Sequence, residues 1–249
     1  MKVSVITPSY NSVKTIEDTL RSVRDQAYPD IEHIVVDGGS KDGTLDIIRE
    51  HDGHLAKWIS EPDRGIYDAM NKGIAMATGD IIGILNSDDV YSGMDVISEI
   101  VNCFRDNPEK DAVYGDLDYV SRSRLTRVVR RWKTGEQKPF GKGWHPPHPT
   151  FFVRKEVYDN HGLFNLKFKL AADFELMLRL LEKHKIRTFY LEKVLIKMRR
   201  GGATNNSLMG IMKQNIECYK AFKENNLPVS LLYPIIRLVP KLKQFLRGL

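Results

Sequence analysis

The chain has 249 residues, of which 42% are hydrophobic and 28% are charged. This length and composition suffice for one large globular domain with its own core, with or without a small appendage. Lysine and arginine outnumber aspartate and glutamate by 38 to 32, giving a formal net charge of +6. The excess favours anionic partners, and nucleotides, anionic lipids and nucleic acid all fit it.

Cysteine usage and apolar segments exclude several classes. The two cysteines, Cys103 and Cys218, lie far apart and belong to no CxxC or Cys/His spacing. We therefore predict neither a disulfide framework nor a zinc site, which suits a reducing compartment. The apolar run at the N-terminus is too short for a signal peptide. No stretch reaches the roughly 18 consecutive apolar residues of a spanning helix, so we expect a cytoplasmic protein without a transmembrane segment.

Short apolar runs alternate with helical patterns through the first half of the chain. We expect strands at residues 3–7, 33–37, 55–60 and 81–85, with helices near 13–24, 43–50 and 66–77. This alternation is typical of βαβ units and predicts a mostly parallel sheet with right-handed crossovers. Each run ends in polar or turn-forming residues. Because the carboxyl ends of parallel strands line the ligand crevice, the four following loops should converge on one site.

The pattern after residue 90 is less regular. We expect helices near residues 95–105, 174–184 and 208–223, and strands at 112–120, 150–153, 188–191 and 194–198. A polar, arginine-rich insert separates the first two of these strands. The chain divides most naturally into a first half, residues 1–110, and a second half, residues 111–226, which share one sheet.

Carboxylates follow two of the predicted strands. The apolar run 81–85 ends in Asn86, Ser87, Asp88 and Asp89, and hard oxygen ligands beside a diphosphate suit Mg²⁺ or Mn²⁺. Asp37 closes the second strand before a glycine-rich turn. Its carboxylate could accept the N3 hydrogen of a uracil ring, and it equally suits an Asx turn followed by a helix cap.

Two common phosphate-binding motifs are missing. No G-x-G-x-x-G follows the first strand, which argues against a dinucleotide-binding unit. The glycines at 135–143 have one residue too many between them and lack the Ser or Thr of a P-loop. We therefore do not expect ATP hydrolysis.

Four ordered motifs carry a family resemblance. They are Thr7-Pro8-Ser9-Tyr10-Asn11, Val35-Val36-Asp37-Gly38-Gly39-Ser40-Lys41-Asp42-Gly43-Thr44, Asp68-Ala69-Met70-Asn71-Lys72-Gly73 and Asn86-Ser87-Asp88-Asp89. Over roughly the first 90 residues the chain resembles the family 2 glycosyltransferases of the GT-A fold. The resemblance implies a Rossmann-like, mostly parallel central sheet flanked by helices. It also implies an inverting, metal-dependent transfer of a sugar, from a nucleotide diphosphate expected to be UDP, to a glycan or lipid-linked acceptor in polysaccharide biosynthesis.

The resemblance also assigns roles in donor binding. The residues that it places on the nucleotide-sugar are Thr7, Pro8, Tyr10, Asn11, Asp37, Asp63, Asp68, Asn71, Asn86, Ser87, Arg199 and Arg200. Asp37 would contact the base, and the two arginines would reach the diphosphate from a flexible loop at 199–204. The metal, Mn²⁺ or Mg²⁺, would be held by Asp88 with Asp89, and His148 would approach the metal or the acceptor. Asn86 stands at the first acidic position of the family's DxD-like motif.

The same resemblance makes Asp173 the catalytic base, with Glu175 in reserve. A carboxylate at a helix start is stabilised by the helix dipole. Plainer interpretations stay open for these residues: Asp173 suits a helix N-cap, His148 a packing histidine, and Arg199 and Arg200 solvated positions. The first half would then bind the nucleotide-sugar and the second half the acceptor.

Two basic stretches concern location. One comprises Arg122, Arg124, Arg127, Arg130, Arg131 and Lys133, and the other comprises Arg237, Lys241, Lys243 and Arg247. The second lies in a tail, residues 227–249, whose basic and apolar composition suits the inner surface of an anionic membrane. A tail packed on the domain is the alternative.

Two other functions remain as alternatives. A nucleotidyltransferase acting on sugar phosphates would need a glycine- and lysine-rich loop after the first strand, which residues 7–11 do not supply. A non-catalytic nucleotide-sugar-binding module would keep the donor motifs without a base. A role in nucleic-acid binding is not expected.

Overall fold

A computed structural model of the chain describes residues 1–201 and 208–237. Its strands are β1 Val3–Ser9, β2 Ile31–Asp37, β3 Lys57–Ser60, β4 Ile81–Ile84, β5 Asp89–Tyr91, β6 Ala112–Ser121, β7 Arg124–Trp132, β8 Phe152–Arg154 and β9 Thr188–Arg199. Its helices are α1 Ile16–Arg24, α2 Thr44–Glu50, α3 Ile66–Met76, α4 Val96–Asp106, α5 Lys155–His161, α6 Ala172–Leu178, α7 Leu208–Glu224 and α8 Tyr233–Ile236. A π-helical turn, Arg179–Lys183, follows α6 directly.

The strands form one sheet in the order β3-β2-β1-β4-β8-β6-β9-β5, and β7 pairs with β6 outside this path. The strands β3, β2, β1 and β4 are parallel, as predicted for the first half. Beyond β4 the sheet is mixed, because β8 runs antiparallel to β4 and β6 while β6 and β9 are parallel. The carboxyl ends of β1, β2 and β3 consequently share one edge.

Both faces of the sheet are covered, which gives a three-layer α/β arrangement. One core cluster joins Ile6 and Ile34 to Met70 of α3 and to the apolar side of α6. The other joins Val3 and Val5 to the buried side of α4. Strands buried on both faces read as continuous apolar runs, so these segments were recognisable from the sequence.

Helix α3 lies unusually close to β1 at Gly73. A Cβ atom at this position would overlap Cγ2 of Ile6 and lie 3.3 Å from its Cγ1. The missing side chain therefore lets α3 approach β1, and this approach fixes the N-terminal turn of α3 beside the carboxyl edge of the sheet.

Four elements differ from the sequence expectation. The arginine-rich insert contains β7, which pairs antiparallel with β6, and α5 occupies a segment for which no helix was predicted. The strands expected at 188–191 and 194–198 form the single β9. The helix expected at 174–184 is α6 followed by the π-helical turn.

The start of the predicted tail is packed on the domain. Tyr233 is fully buried and its ring contacts Phe174 and Phe222. The guanidinium of Arg237 donates to Asn215 Oδ1 at 2.6 Å and lies over Phe174. Tyr233 and Arg237 therefore pack on the domain, as the alternative of a packed tail predicts for this part of residues 227–249. The rest of that tail, residues 238–249, lies outside the described residues, and no helix within the described part is long and apolar enough to cross a membrane.

Candidate active site

The loops after β1 and β2 are tied together at the carboxyl edge of the sheet. The amide of Asn11 donates to Ser40 Oγ at 2.8 Å, and Asn11 Oδ1 accepts the amide of Lys41 at 3.0 Å. Asn11 has a φ of 47°, a left-handed conformation that asparagine tolerates better than most residues. Tyr10 is 64% exposed beside this junction. The expected convergence of the loops is therefore present, with Tyr10 as its open aromatic face.

Asp37 holds its own loop together. Its carboxylate accepts hydrogen bonds from the amides of Gly39 and Ser40 and from the hydroxyls of Ser40 and Ser60, and the residue is fully buried. These contacts agree with the alternative interpretation of Asp37 as an Asx turn, and its contact with a base stays a prediction.

Asp63 supplies a second carboxylate, which lies beside Tyr10. One oxygen of Asp63 accepts the amide of Gly65 at 2.8 Å. The other, Oδ2, lies 2.5 Å from where a Cβ of Gly38 would stand, next to the ring of Tyr10. The absence of a side chain at Gly38 thus makes room for the Asp63 carboxylate beside Tyr10.

Several other residues that were expected to bind the nucleotide-sugar make contacts within the protein. Thr7 and Pro8 are buried in β1, and Thr7 Oγ1 shares a 2.9 Å hydrogen bond with His33 Nε2. Asp68 accepts the amide and the guanidinium of Arg64, each at 3.0 Å, and these hydrogen bonds lower the pKa of Asp68. Asn71 exchanges two hydrogen bonds, each of 2.9 Å, with the backbone of Phe164. These contacts hold Thr7, Asp68 and Asn71 in place, and their direct contact with the donor stays a prediction.

The two carboxylates after β4 face different surroundings. Asp89 is fully buried; its Oδ2 accepts from Asn86 Nδ2 at 3.1 Å, and its Oδ1 has no partner among the described residues. Burial, and next the charge of Asp88, raise the pKa of Asp89 well above its ordinary value. Asp88 is half-buried. Burial raises the pKa of Asp88, while the charges of Arg199 and Arg122 act in the opposite direction. Asp88 is therefore the carboxylate of this pair that faces the site.

The expected metal set of Asp88, Asp89 and His148 is not brought together. Within the described ranges, no group of three His, Cys, Asp or Glu side chains is arranged to hold a metal ion. His148 lies instead against Phe164, with ring centroids 5.5 Å apart. Burial lowers the pKa of His148, and the nearby charge of Asp173 opposes this. His148 therefore belongs to the side of the site where Asp173 lies.

Two arginines, Arg199 and Arg122, act on Asp88 in different ways. Arg199 is 6% exposed; it donates to the backbone oxygen of Asp88 at 2.8 Å and forms an ion pair with Asp18. It fixes the loop of Asp88, and its contact with a diphosphate stays a prediction. Arg200 is exposed. Arg122, assigned no site role from the sequence, lies within 3.8 Å of where a Cβ of Gly201 would stand and acts on the Asp88 carboxyl.

Asp173 lies beside the start of α3. It is the second residue of α6, whose N-cap is Ala171, so the N-cap interpretation is wrong. The hydroxyl of Tyr67, near the start of α3, donates to Asp173 Oδ1 at 3.0 Å. Burial and the charge of Asp173 raise the pKa of Tyr67 well above 10, so this hydroxyl stays protonated. Glu175 is enclosed by Arg179 and Asn225 at 3.0 and 2.9 Å, which removes the reserve candidate.

Known proteins resemble this chain in sequence. A family model described as Glycosyl transferase family 2 matches residues 4–162, more than half of the chain. The chain is a family 2 glycosyltransferase. This glycosyltransferase is 37% identical over 185 residues to an uncharacterized glycosyltransferase of Mycobacterium tuberculosis, covering 71% of this chain and 68% of the relative. It is 28% identical over 209 residues to a PGL/p-HBAD biosynthesis glycosyltransferase of Mycobacterium bovis, covering 83% and 80%.

Two solved structures show the fold of the glycosyltransferase. TarS 1–349 of S. aureus, in complex with UDP-GlcNAc, superposes with a TM-score of 0.66 at 20% identity, covering 99% of this chain and 73% of TarS 1–349. The mannosyltransferase PcManGT of Pyrobaculum calidifontis, in complex with GDP-Man and Mn²⁺, superposes with a TM-score of 0.66 at 22% identity, covering 99% and 69%. The GT-A fold class is thereby confirmed.

Three residues of the site were missed by sequence reasoning. Tyr67 lies directly before the third motif, and an aromatic residue near a helix start resembles any core residue. Arg122 was grouped with a basic stretch, because its position beside Gly201 depends on the hairpin between β6 and β7. Phe164, which stacks on Tyr67 with centroids 5.6 Å apart, gave no recognisable signal.

Proposed function

We propose that this glycosyltransferase transfers a sugar from a UDP-sugar to a hydroxyl of a glycan or lipid-linked acceptor, with inversion at the anomeric carbon. The observation that carries the proposal is the 3.0 Å hydrogen bond between Tyr67 and Asp173. It joins the helix that follows the Asp63 loop to the helix that carries the candidate base. This contact supports a site in which the donor and the proton acceptor are close together.

The donor would enter beside Tyr10. The exposed ring offers a face for the base, and Asp63 Oδ2 offers an acceptor for the N3 hydrogen of uracil. Support comes from TarS, which was solved with UDP-GlcNAc, whereas PcManGT was solved with GDP-Man. A guanine also presents a ring N–H, so UDP-sugars and GDP-sugars should both be tested as donors.

Asp173 would act as the general base. Its place in the first turn of α6 favours negative charge through the helix dipole, and Tyr67 orients the carboxylate. As the acceptor hydroxyl gives its proton to Asp173, its oxygen attacks the anomeric carbon from the face opposite the diphosphate. The new carbon–oxygen bond forms while the bond to the diphosphate oxygen breaks. One displacement of this kind inverts the anomeric configuration.

The residues after β4 fit a divalent cation. Asp88 offers a carboxylate to which no other described residue donates a hydrogen bond, and Asn86 Oδ1 is a buried oxygen without a partner in the described part of the chain. Mg²⁺ and Mn²⁺ accept such oxygen ligands together with phosphate oxygens. When bound, the cation would neutralise charge on the leaving diphosphate. Among the described residues, Arg199 and Arg122 are basic side chains whose charges act on the Asp88 carboxyl.

The acceptor class and the location rest on the relatives. One relative is named for PGL/p-HBAD biosynthesis, and another, 44% identical over 92 residues, is a putative teichuronic acid biosynthesis glycosyltransferase of Bacillus subtilis. These names support polysaccharide or glycolipid assembly. An acceptor of that kind would be met at the inner face of the cell membrane.

The test is release of nucleoside diphosphate from UDP-, GDP- and TDP-sugars with Mn²⁺, Mg²⁺ or EDTA, with bacterial lipid extract as acceptor source. We expect metal-dependent release from one donor. Asp173→Asn should keep UDP binding while turnover falls by about 100-fold or more, the usual contribution of a general base. The control Asp159→Asn changes an exposed carboxylate that pairs with Lys155. Unchanged turnover in Asp173→Asn would remove Asp173 from the mechanism. In a separate assay with a nucleoside triphosphate and a sugar 1-phosphate, formation of the nucleotide-sugar with release of pyrophosphate would indicate a nucleotidyltransferase.

A further inference from the structure

The end of the β6–β7 hairpin, residues 121–129, projects into solvent. Arg122, Ser123, Arg124, Thr126, Arg127, Val128 and Val129 are all exposed. Val128 and Val129 are neighbours in sequence and point to opposite faces of the strand, yet they are 47% and 39% exposed. Neither face of this part of β7 is thus covered, and β7 pairs with β6 alone among the described strands.

The basic side chains of the hairpin divide into two groups. Near its base, Arg131 forms a two-pronged ion pair with Asp118 at 2.8 and 2.9 Å, Arg130 lies over Tyr119, and Lys133 pairs with Glu192. Near its end, Arg122, Arg124 and Arg127 form no ion pair with any carboxylate of residues 1–201 and 208–237. The exposed valines therefore share this end of the hairpin with Arg124 and Arg127, which form no ion pair with the described residues, and with Arg122, whose charge acts on Asp88.

Charged residues on an edge strand often serve only to prevent pairing with another chain. Exposed valines work against that purpose, because they add an apolar surface to the same edge. Arginines beside apolar side chains instead suit the boundary of an anionic lipid layer, where the charges meet headgroups and the apolar groups enter the interface. Residues 121–129 contain no aromatic side chain, so the surface lacks the stacking platform of single-strand nucleic-acid sites.

The hairpin end adjoins the candidate active site. Arg122 lies beside Gly201, and its charge acts on the Asp88 carboxyl. A membrane in contact with residues 124–129 would therefore lie next to the position proposed for the diphosphate. An acceptor anchored in lipid would be presented at the site without leaving the surface.

We propose that residues 124–129 of the β6–β7 hairpin are the surface by which this glycosyltransferase contacts an anionic phospholipid membrane. The inference deepens the proposed function, on which it rests for the meaning of the contact. The contact itself is measured without sugar transfer, so failure of one proposal is distinguishable from failure of the other.

The test is co-sedimentation of the full chain with vesicles of phosphatidylcholine and phosphatidylglycerol. Arg124→Gln/Arg127→Gln lowers the net charge from +6 to +4. We expect its partition coefficient to fall about 25-fold, since each basic residue near an anionic surface contributes about fivefold. Arg21→Gln/Arg49→Gln makes the same change of charge at exposed arginines of α1 and α2 and should bind as the unmodified chain does. Val128→Ser/Val129→Ser should weaken binding without changing charge.

Four results would overturn the inference. They are equal losses in the two arginine pairs, full retention in both hairpin variants, equal binding to vesicles of phosphatidylcholine alone, and a loss confined to Lys241→Gln/Lys243→Gln in the tail. If a single-stranded oligonucleotide binds the chain more tightly than the vesicles do and displaces the chain from them, the surface would be assigned to nucleic acid instead. UDP binding measured on every variant reports whether the donor site and fold are intact.

Discussion

The Tyr67 hydroxyl would orient Asp173, the proposed base, through a single hydrogen bond. Tyr67→Phe removes the donor to Asp173 Oδ1 but keeps the ring that stacks on Phe164. A hydrogen bond to a charged group contributes about 1.5–3 kcal/mol, so we expect kcat to fall by about tenfold or more while KM for the donor and UDP affinity stay unchanged. Steady-state kinetics with calorimetric UDP titration measure this.

The matched control for Tyr67→Phe is Tyr114→Phe, which removes a hydroxyl that donates to the Gly135 carbonyl at 3.2 Å. It should leave kcat unchanged. If Tyr67 acts through Asp173, adding Tyr67→Phe to Asp173→Asn should cost nothing further, because residues that act as a unit are not additive. Additive losses would show that Tyr67 acts independently of Asp173.

Residue types at the site were easier to predict than residue roles. Asp37 and Asp63 are both acidic residues at strand ends, and the sequence assigned both to the nucleotide. Only the fold shows that the Asp37 carboxylate accepts hydrogen bonds from Gly39, Ser40 and Ser60. The Asp63 carboxylate lies instead beside Gly38. Which lone pairs remain free depends on contacts between separate loops, and motif spacing carries no information about them.

At the scale of elements, the packing of α3 on β1 depends on Gly73. Gly73→Ala adds a methyl group where Ile6 already lies. Helix propensity would favour alanine by about 1 kcal/mol, but overpacking costs typically about 1–3 kcal/mol. We expect a net loss of about 1 kcal/mol in the free energy of unfolding, measured by urea denaturation.

Two comparisons separate overpacking from other effects of Gly73→Ala. Ile6→Ala/Gly73→Ala should lose less stability than the sum of the single changes, because the smaller side chain makes room for the methyl group. Gly53→Ala, where a Cβ would meet nothing within 4 Å, should change stability little. A stable Gly73→Ala variant would mean that α3 shifts freely along β1.

Elements with strong periodicity or full burial were predictable, and others were not. The strands β1, β2 and β4 are continuous apolar runs, and α4 has a clear helical pattern, so all were found with small errors at their ends. β7 escaped because its two exposed faces remove the alternation by which a strand is recognised. The turn Arg179–Lys183 escaped because a π-helix differs from an α-helix only in hydrogen-bond register.

At the scale of the whole molecule, buried histidines should make stability depend on pH. Burial lowers the pKa of His148 as it does that of His33, and the contribution of His33 follows from its pKa. Burial lowers the pKa of His33 to about 3. Above pH 6.5 the imidazole is neutral in both states, and the folded state keeps its full stability. As the pH falls below 6.5, the unfolded chain takes up a proton that the folded chain does not. Stability should then fall by about 1.4 kcal/mol per pH unit until the pH nears 3.

Urea denaturation between pH 7 and 5 measures the contribution of His33. Burial raises the pKa of Glu32, but hydrogen bonds from Ser4 and Thr78 outweigh burial and lower it to about 2, so its effect begins only below pH 4.5. His33→Gln should flatten the slope, whereas His54→Gln, at an exposed position, should keep it. An unchanged slope in His33→Gln would assign the dependence to other groups.

The contacts that build the site differ widely in their separation along the chain. The donor loops are joined by hydrogen bonds between residues 29 and 30 positions apart, whereas Asn71 meets Phe164 across 93 positions and Tyr67 meets Asp173 across 106. Short closures form sooner than long ones. On the ribosome, the nucleotide-facing loops are thus complete long before the residues of the base have been synthesised. We therefore expect a nascent chain to complete the loops proposed for the donor before it contains the proposed base.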